Sequence, residues 1–153
     1  MNCQIHGILS LVLIAAAVVT ALAAIFPSSL FWALIYITGI LASSLIIVYS
    51  FCAKCPCRHT SCGHVLPGAL TWFFPCREEG PYTLADAVGV VVPLVFLIVF
   101  PQYWLLSHTV YFMLFAAFWI LAAADMQFFV CRGCTNTFCP FFQGGCGKTQ
   151  ETE

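Results

Sequence analysis

Two cysteine-rich segments hold most of the residues in this chain whose types and spacing suit chemistry. The first, residues 52–64, has the pattern Cys-x2-Cys-x-Cys-x4-Cys-x-His. The second, residues 131–146, has the pattern Cys-x2-Cys-x4-Cys-x6-Cys. A Cys-x2-Cys pair places two sulfurs on one turn of chain, from which both can reach one metal ion or one iron–sulfur cluster. Two such pairs, each with further cysteines close by, indicate metal binding.

The predicted metal ligands are eight cysteines, four from each segment. They are Cys52, Cys55, Cys57 and Cys62 in the first segment, and Cys131, Cys134, Cys139 and Cys146 in the second. Cys76 and Cys3 are substitutes if Cys146 lies too far out on its glycine-flanked stretch, and His64 is a further candidate.

Soft thiolate ligands suit iron–sulfur clusters or zinc and do not suit magnesium or calcium. A proline directly follows Cys55 and Cys139, as a proline follows the last cysteine of a bacterial ferredoxin run. This detail favours a 4Fe–4S cluster, although the remaining spacing matches no ferredoxin motif. Tetrahedral zinc is the alternative, because each segment supplies four cysteines and the first also supplies three cysteines with a histidine.

The composition predicts an all-α integral membrane protein. The chain has 153 residues, of which 62% are hydrophobic and 7% are charged, whereas a soluble domain carries about 25% charged residues. Because so few charges cannot cover a water-exposed surface, the lipid bilayer is the expected partner. The net charge of -1 provides no basic field, which argues against nucleic acid as a partner.

Four apolar runs predict a four-helix transmembrane bundle forming a single domain. The predicted spans are residues 8–26, 30–51, 84–100 and 109–130, with a cysteine-rich loop at 52–83 and a cysteine-rich tail at 131–153. The first run has an alternative interpretation as a signal peptide, since Ala21-Leu22-Ala23 has the form of a cleavage site. The absence of Lys and Arg before the run, and its length, favour a retained helix.

The four spans are interpreted as two duplicated helical hairpins. The first and third spans end in Phe-Pro, at Phe26-Pro27 and Phe100-Pro101. The second and fourth spans each run directly into a Cys-x2-Cys pair. The predicted repeat is therefore a hairpin with a thiol cluster at its exit.

The basic residues predict which side of the membrane the cysteines face. All five lie in the long loop or the tail, whereas the two short turns carry none: they are Lys54, Arg58, Arg77, Arg132 and Lys148. The positive-inside rule then makes both termini and the cysteine-rich face cytoplasmic. Reducing conditions there disfavour structural disulfides, which strengthens the metal interpretation. The arginines are also expected to offset thiolate charge.

Two carboxylates lie close to the predicted membrane boundary. Thr83 and Asp86 have the spacing of a capping box at the start of the third span. Asp125 lies inside the fourth span, where ionisable groups are rare. It is expected to reach water, to accept a proton, or to pair with Arg132 or Arg58.

The leading functional hypothesis is electron transfer by iron–sulfur clusters at the cytoplasmic face, within a larger complex of membrane or soluble redox subunits. The chain has no nucleotide motif, so it is not expected to bind NAD or flavin by itself. The alternatives are a zinc-stapled membrane scaffold for a partner protein and a thiol–disulfide oxidoreductase. Whether the chain is an enzyme is left open by these alternatives.

Overall fold

The computed structural model describes residues 3–55, 67, 70–75, 77–78, 80–133 and 136–139, and all regular structure within them is helical. The α-helices are α1 (Cys3–Ile25), α2 (Leu30–Ser50), α3 (Leu84–Val99), the short α4 (Gln102–Leu105) and α5 (Thr109–Asp125). A π-helical segment, Met126–Val130, continues α5. Single 3-10 turns occupy Cys52–Lys54, Thr71–Phe73 and Cys131–Gly133.

Among the described residues, four helical stretches are long and apolar enough to cross a membrane, which indicates a membrane protein and agrees with the four predicted spans. They are Gln4–Ile25, Leu30–Lys54, Leu84–Leu105 and Thr109–Val130. Two boundaries differ from the sequence prediction. The first helix already begins at Cys3, because the short uncharged start of the chain offers no break before the apolar run. The third stretch continues past Pro101, because a proline is tolerated where a new helix starts.

Each helix of one predicted hairpin packs mainly against a helix of the other hairpin. α1 packs along α5, and α2 packs along α3, whereas α1 contacts α2 over a much shorter length. Consecutive helices of the first hairpin are therefore not each other's main neighbours.

The buried apolar core lies towards the end of the bundle that contains the two short turns. Its members come from every α-helix: Ala17, Ala21, Ala24, Ile25, Ala33, Tyr36, Leu97, Leu105 and Phe115. Ala21, which belongs to the cleavage-like sequence, is completely buried in this core. Outside this core, large apolar side chains such as Val19 and Phe31 point outward, about two thirds exposed. A lipid environment would cover such a surface without cost.

Glycines permit α2 and α3 to approach each other closely. A Cβ atom on Gly39 would lie 2.2 Å from the ring of Phe96, and one on Gly89 would lie 2.2 Å from Ser50 Oγ. Small residues at a helix interface bring backbones together and increase van der Waals contact, which is a main source of helix association in lipid.

A hydrogen bond near the core compensates for a proline. Pro101 has no N–H to donate to the carbonyl of Leu97, four residues earlier. The buried Tyr36 hydroxyl donates to that carbonyl instead, at 3.0 Å. An otherwise unsatisfied backbone group in an apolar interior thus has a partner from the neighbouring helix.

Candidate functional site

Four of the eight predicted metal ligands are described, and they lie at one end of the bundle, which we call the cysteine end. Cys52 and Cys55 follow α2, whereas Cys131 and Cys139 follow α5; all four are half-buried thiols. The other four predicted ligands lie outside the described residues, as do two of the further candidates: Cys57, Cys62, Cys134, Cys146, Cys76 and His64. Cys3 lies in the first turn of α1.

The exit of α2 places the first Cys-x2-Cys pair on one turn, as the spacing predicts. The turn Cys52–Lys54 is 3-10 helix, and the Cys55 N–H donates to the Cys52 carbonyl at 3.1 Å. A 3-10 turn, Cys131–Gly133, also opens the second segment, directly after the π-helical segment. Each cysteine segment therefore opens with a 3-10 turn.

Asn136 joins the two cysteine segments. Its side chain is 2% exposed, and its Nδ2 lies 3.5 Å from Cys55 Sγ and 3.2 Å from the Tyr82 hydroxyl oxygen, donating to both. The Tyr82 ring stacks on Phe51 at the end of α2, with 4.4 Å between ring centroids. The chain that leaves α5 thus crosses to the exit of α2, and the two segments meet there.

The pKa of the Tyr82 hydroxyl depends on both cysteine segments. Burial raises the pKa of its hydroxyl above the ordinary value of 10.0, and negative charge on Cys55 raises it further. The hydrogen bond from Asn136 opposes this pKa shift, while charge on Cys139 and then Cys52 adds to it. Sulfurs from both segments therefore act on the same phenol.

A turn built by Asn136 positions Cys139. The Phe138 N–H donates to Asn136 Oδ1 at 3.0 Å, and the Cys139 N–H donates to the Asn136 carbonyl at 3.2 Å. Asparagine commonly closes such turns with its own side chain. Sequence reasoning missed both Asn136 and Tyr82; the one local signal was an asparagine between two cysteines of the second segment.

Asp86 anchors the first cysteine segment to the start of α3. Lys54 Nζ lies 2.9 Å from Asp86 Oδ2, and Arg77 Nη1 lies 2.7 Å from Asp86 Oδ1. The predicted capping box with Thr83 is confirmed, with both of its hydrogen bonds present. Lys54 also donates to the Pro81 carbonyl at 2.7 Å. The carboxylate therefore caps α3 and also forms two ion pairs. Arg77, which the sequence predicted would offset thiolate charge, pairs with Asp86.

Asp125 has partners that the sequence did not suggest. Its Oδ1 lies 2.8 Å from His6 Nδ1, and its Oδ2 lies 2.8 Å from Ser10 Oγ. Asp125 is buried, with 8% of its surface exposed. Its described partners are on α1, and the exposed Arg132 is not among them. The early start of α1 explains the difference, because it brings His6 into the helix that packs against α5.

The described side chains do not by themselves form a metal site. Among residues 3–55, 80–133 and the shorter described stretches, no three His, Cys, Asp or Glu side chains are close enough to hold a metal ion. Comparison with protein-family models, with curated proteins and with solved structures found no match for this chain. The function must therefore be argued from the chemistry of the cysteine end.

Proposed function

We propose that this chain is an integral membrane protein that binds iron–sulfur clusters, most simply of the 4Fe–4S type, at its cysteine end. It would transfer electrons within a larger complex of membrane or soluble redox subunits. The contact of Asn136 with both Cys55 and Tyr82 is the observation that carries this function, because it brings the two cysteine segments together. Two redox groups held by these segments would be neighbours.

The chemistry of the donors fits this assignment. Eight cysteines form the proposed ligand sets: Cys52, Cys55, Cys57 and Cys62, and Cys131, Cys134, Cys139 and Cys146. An iron–sulfur cluster takes four thiolates and supplies one-electron redox chemistry when bound. Asn136 donates an N–H to the sulfur of Cys55, and such hydrogen bonds stabilise a charged sulfur ligand and tune its metal centre.

The helices would anchor this site in a bilayer with the cysteine end cytoplasmic. The outward-facing apolar side chains support insertion. The distribution of the five basic residues supports the cytoplasmic orientation of the cysteine end and of both termini.

The helix pairing supports a duplicated hairpin. A twofold axis that exchanges the hairpins would replace α1 by α3 and α2 by α5. It would therefore make the α1–α5 pair equivalent to the α2–α3 pair, and these are the main helix contacts observed.

Purification without oxygen, followed by absorption spectroscopy and by iron and acid-labile sulfide analysis, tests the function. We expect iron with matching sulfide. Cys55→Ser and Cys134→Ser should each remove about half of the metal, and the double variant nearly all, because a site that loses one thiolate holds its metal weakly. Cys3→Ser tests the substitute ligand separately: it should leave the metal content unchanged if Cys146 completes the second set, and lower it if Cys3 takes that place.

Other outcomes would replace the proposal. Zinc without sulfide would indicate the scaffold function, with the metal stapling the loop and tail. Metal-free protein whose thiols cycle between reduced and disulfide forms would indicate the oxidoreductase function.

A further inference from the structure

A second polar cluster lies between α1 and α5 and takes no part in the proposed metal site. It consists of His6, Ser10 and Asp125. Ser10 is 1% exposed and Asp125 is 8% exposed, while the His6 side chain keeps 22% of its surface exposed. The His6 ring stacks on Phe129 of the π-helical segment, with 4.3 Å between centroids. The carboxylate is therefore enclosed, and the imidazole has an outer edge.

All the short contacts of this cluster are satisfied at once when Asp125 carries a proton. Ser10 Oγ lies 2.8 Å from Asp125 Oδ2 and 2.8 Å from the His6 carbonyl oxygen. The hydroxyl has one proton, but both of these partners are acceptors when Asp125 is ionised. If Oδ2 carries a proton, Asp125 donates to Ser10, Ser10 donates to the carbonyl, and the His6 Nδ1–H donates to Oδ1. Each short contact then has its own proton.

The surroundings leave few other charges near this cluster. On α5 and the turns that follow it, the nearby titratable residues in the described part are Cys131 and the exposed Arg132. Lys54 and Arg77 are paired with Asp86 in the other helix pair. An ionisable group inside an apolar helix pair is a functional candidate by default, and π-helical segments frequently occur at functional sites.

We propose that Asp125 is a proton-binding site that exchanges one proton with the aqueous phase at the cysteine end, where the edge of His6 is exposed. On binding, an O–H bond forms at Asp125 Oδ2 as water or hydronium gives up the proton; on release, that bond breaks and the proton returns to water. When the proton leaves, the Ser10 hydroxyl turns from the His6 carbonyl to the carboxylate. The site adds proton exchange to the chain and does not depend on which metal the cysteines bind.

Infrared difference spectroscopy during a pH titration of the full-length protein in lipid nanodiscs tests this site. We expect a carboxylic C=O band that appears as the pH falls. The sequence has two aspartates, Asp86 and Asp125, so labelling with 13C-aspartate should shift the band without any mutation. Asp125→Asn should abolish it, and its amide can still accept from His6 and donate to Ser10, which keeps the fold. Glu78→Gln, at an exposed carboxylate, is the matched control and should leave the band unchanged.

Ser10→Ala provides a second variant that retains the carboxyl group. It should shift the frequency of the band, because it removes the hydrogen bond at Oδ2. A band that does not respond to 13C-aspartate or that survives Asp125→Asn would overturn the proposal. The absence of any titrating band while the helical circular dichroism persists would do the same, and would make the cluster a fixed tie between α1 and α5. Metal content measured on the same samples should be unchanged in Asp125→Asn, so failure here is distinguishable from failure of the metal site.

Discussion

The substitution Asp86→Asn removes the charge that joins the first cysteine segment to α3. The amide has the same size, but Lys54 and Arg77 then face a neutral group. Removal of one partner from a buried ion pair costs about 3–5 kcal/mol. Lys54 is 11% exposed in its side chain and keeps its bond to the Pro81 carbonyl, whereas Arg77 is 29% exposed. Because both cations keep some solvation or hydrogen bonding, we expect a cost of about 3 kcal/mol, at the low end of that range.

Local opening of the cysteine segment should be the first consequence, since Lys54 lies between Cys52 and Cys55. Alkylation of Cys55 in the folded protein after removal of metal by a chelator, followed by peptide mass spectrometry, measures the population of the open form. A loss of about 3 kcal/mol corresponds to an alkylation rate about 100-fold faster, because each 1.36 kcal/mol is a factor of ten.

Two variants separate the ion pairs from the helix cap. Thr83→Ala removes the hydroxyl half of the capping box, keeps both ion pairs of Asp86, and should cost about 1 kcal/mol. The double variant Lys54→Met with Asp86→Asn leaves no unpaired lysine and should be slower to react than Asp86→Asn by itself. An Asp86→Asn rate no faster than that of Thr83→Ala, or a double variant as reactive as the single, would refute the ion-pair reasoning.

Further predictions concern packing, pH and orientation. Gly89→Ala should lower the free energy of unfolding by about 1–3 kcal/mol, because the new Cβ would lie 2.2 Å from Ser50 Oγ; Gly80→Ala, with nothing within 4 Å, is the control, and equal thermal stability of the two variants in detergent would contradict the packing argument. The raised pKa of Tyr82 means that the folded state favours the neutral hydroxyl, so its stability contribution is complete below the ordinary pKa of 10.0 and is lost as the pH rises towards the folded-state pKa. Unfolding measured against pH should therefore show an alkaline loss that is smaller in Tyr82→Phe, and identical profiles would count against this. Reporter fusions after residue 153 and within residues 101–107 should report cytoplasmic and extracytoplasmic positions respectively, and an extracytoplasmic C-terminus would contradict the orientation.

The sequence by itself determined the features that depend on residues close together in the chain. Apolar runs of sufficient length predicted the four helices, because a helix satisfies its backbone hydrogen bonds within one segment. The spacing of Thr83 and Asp86 predicted a capping box that the structure confirms. The Cys52–Cys55 spacing predicted a shared turn for the same local reason. The metal, the sidedness and the duplication remain predictions.

The tertiary structure alone decided which side chains meet. His6 and Asp125 are 119 positions apart, Asn136 and Cys55 are 81 apart, and Lys54 and Asp86 are 32 apart. The first contact depends on α1 lying beside α5, and the last on α2 lying beside α3. The second depends on the chain after α5 reaching the exit of α2. Helices of similar apolar composition carry little pairing information in one sequence, because lipid covers their surfaces as well as another helix does. The pairing is decided by the close fit of side chains, such as Phe96 against Gly39, which becomes visible only when both helices are in place.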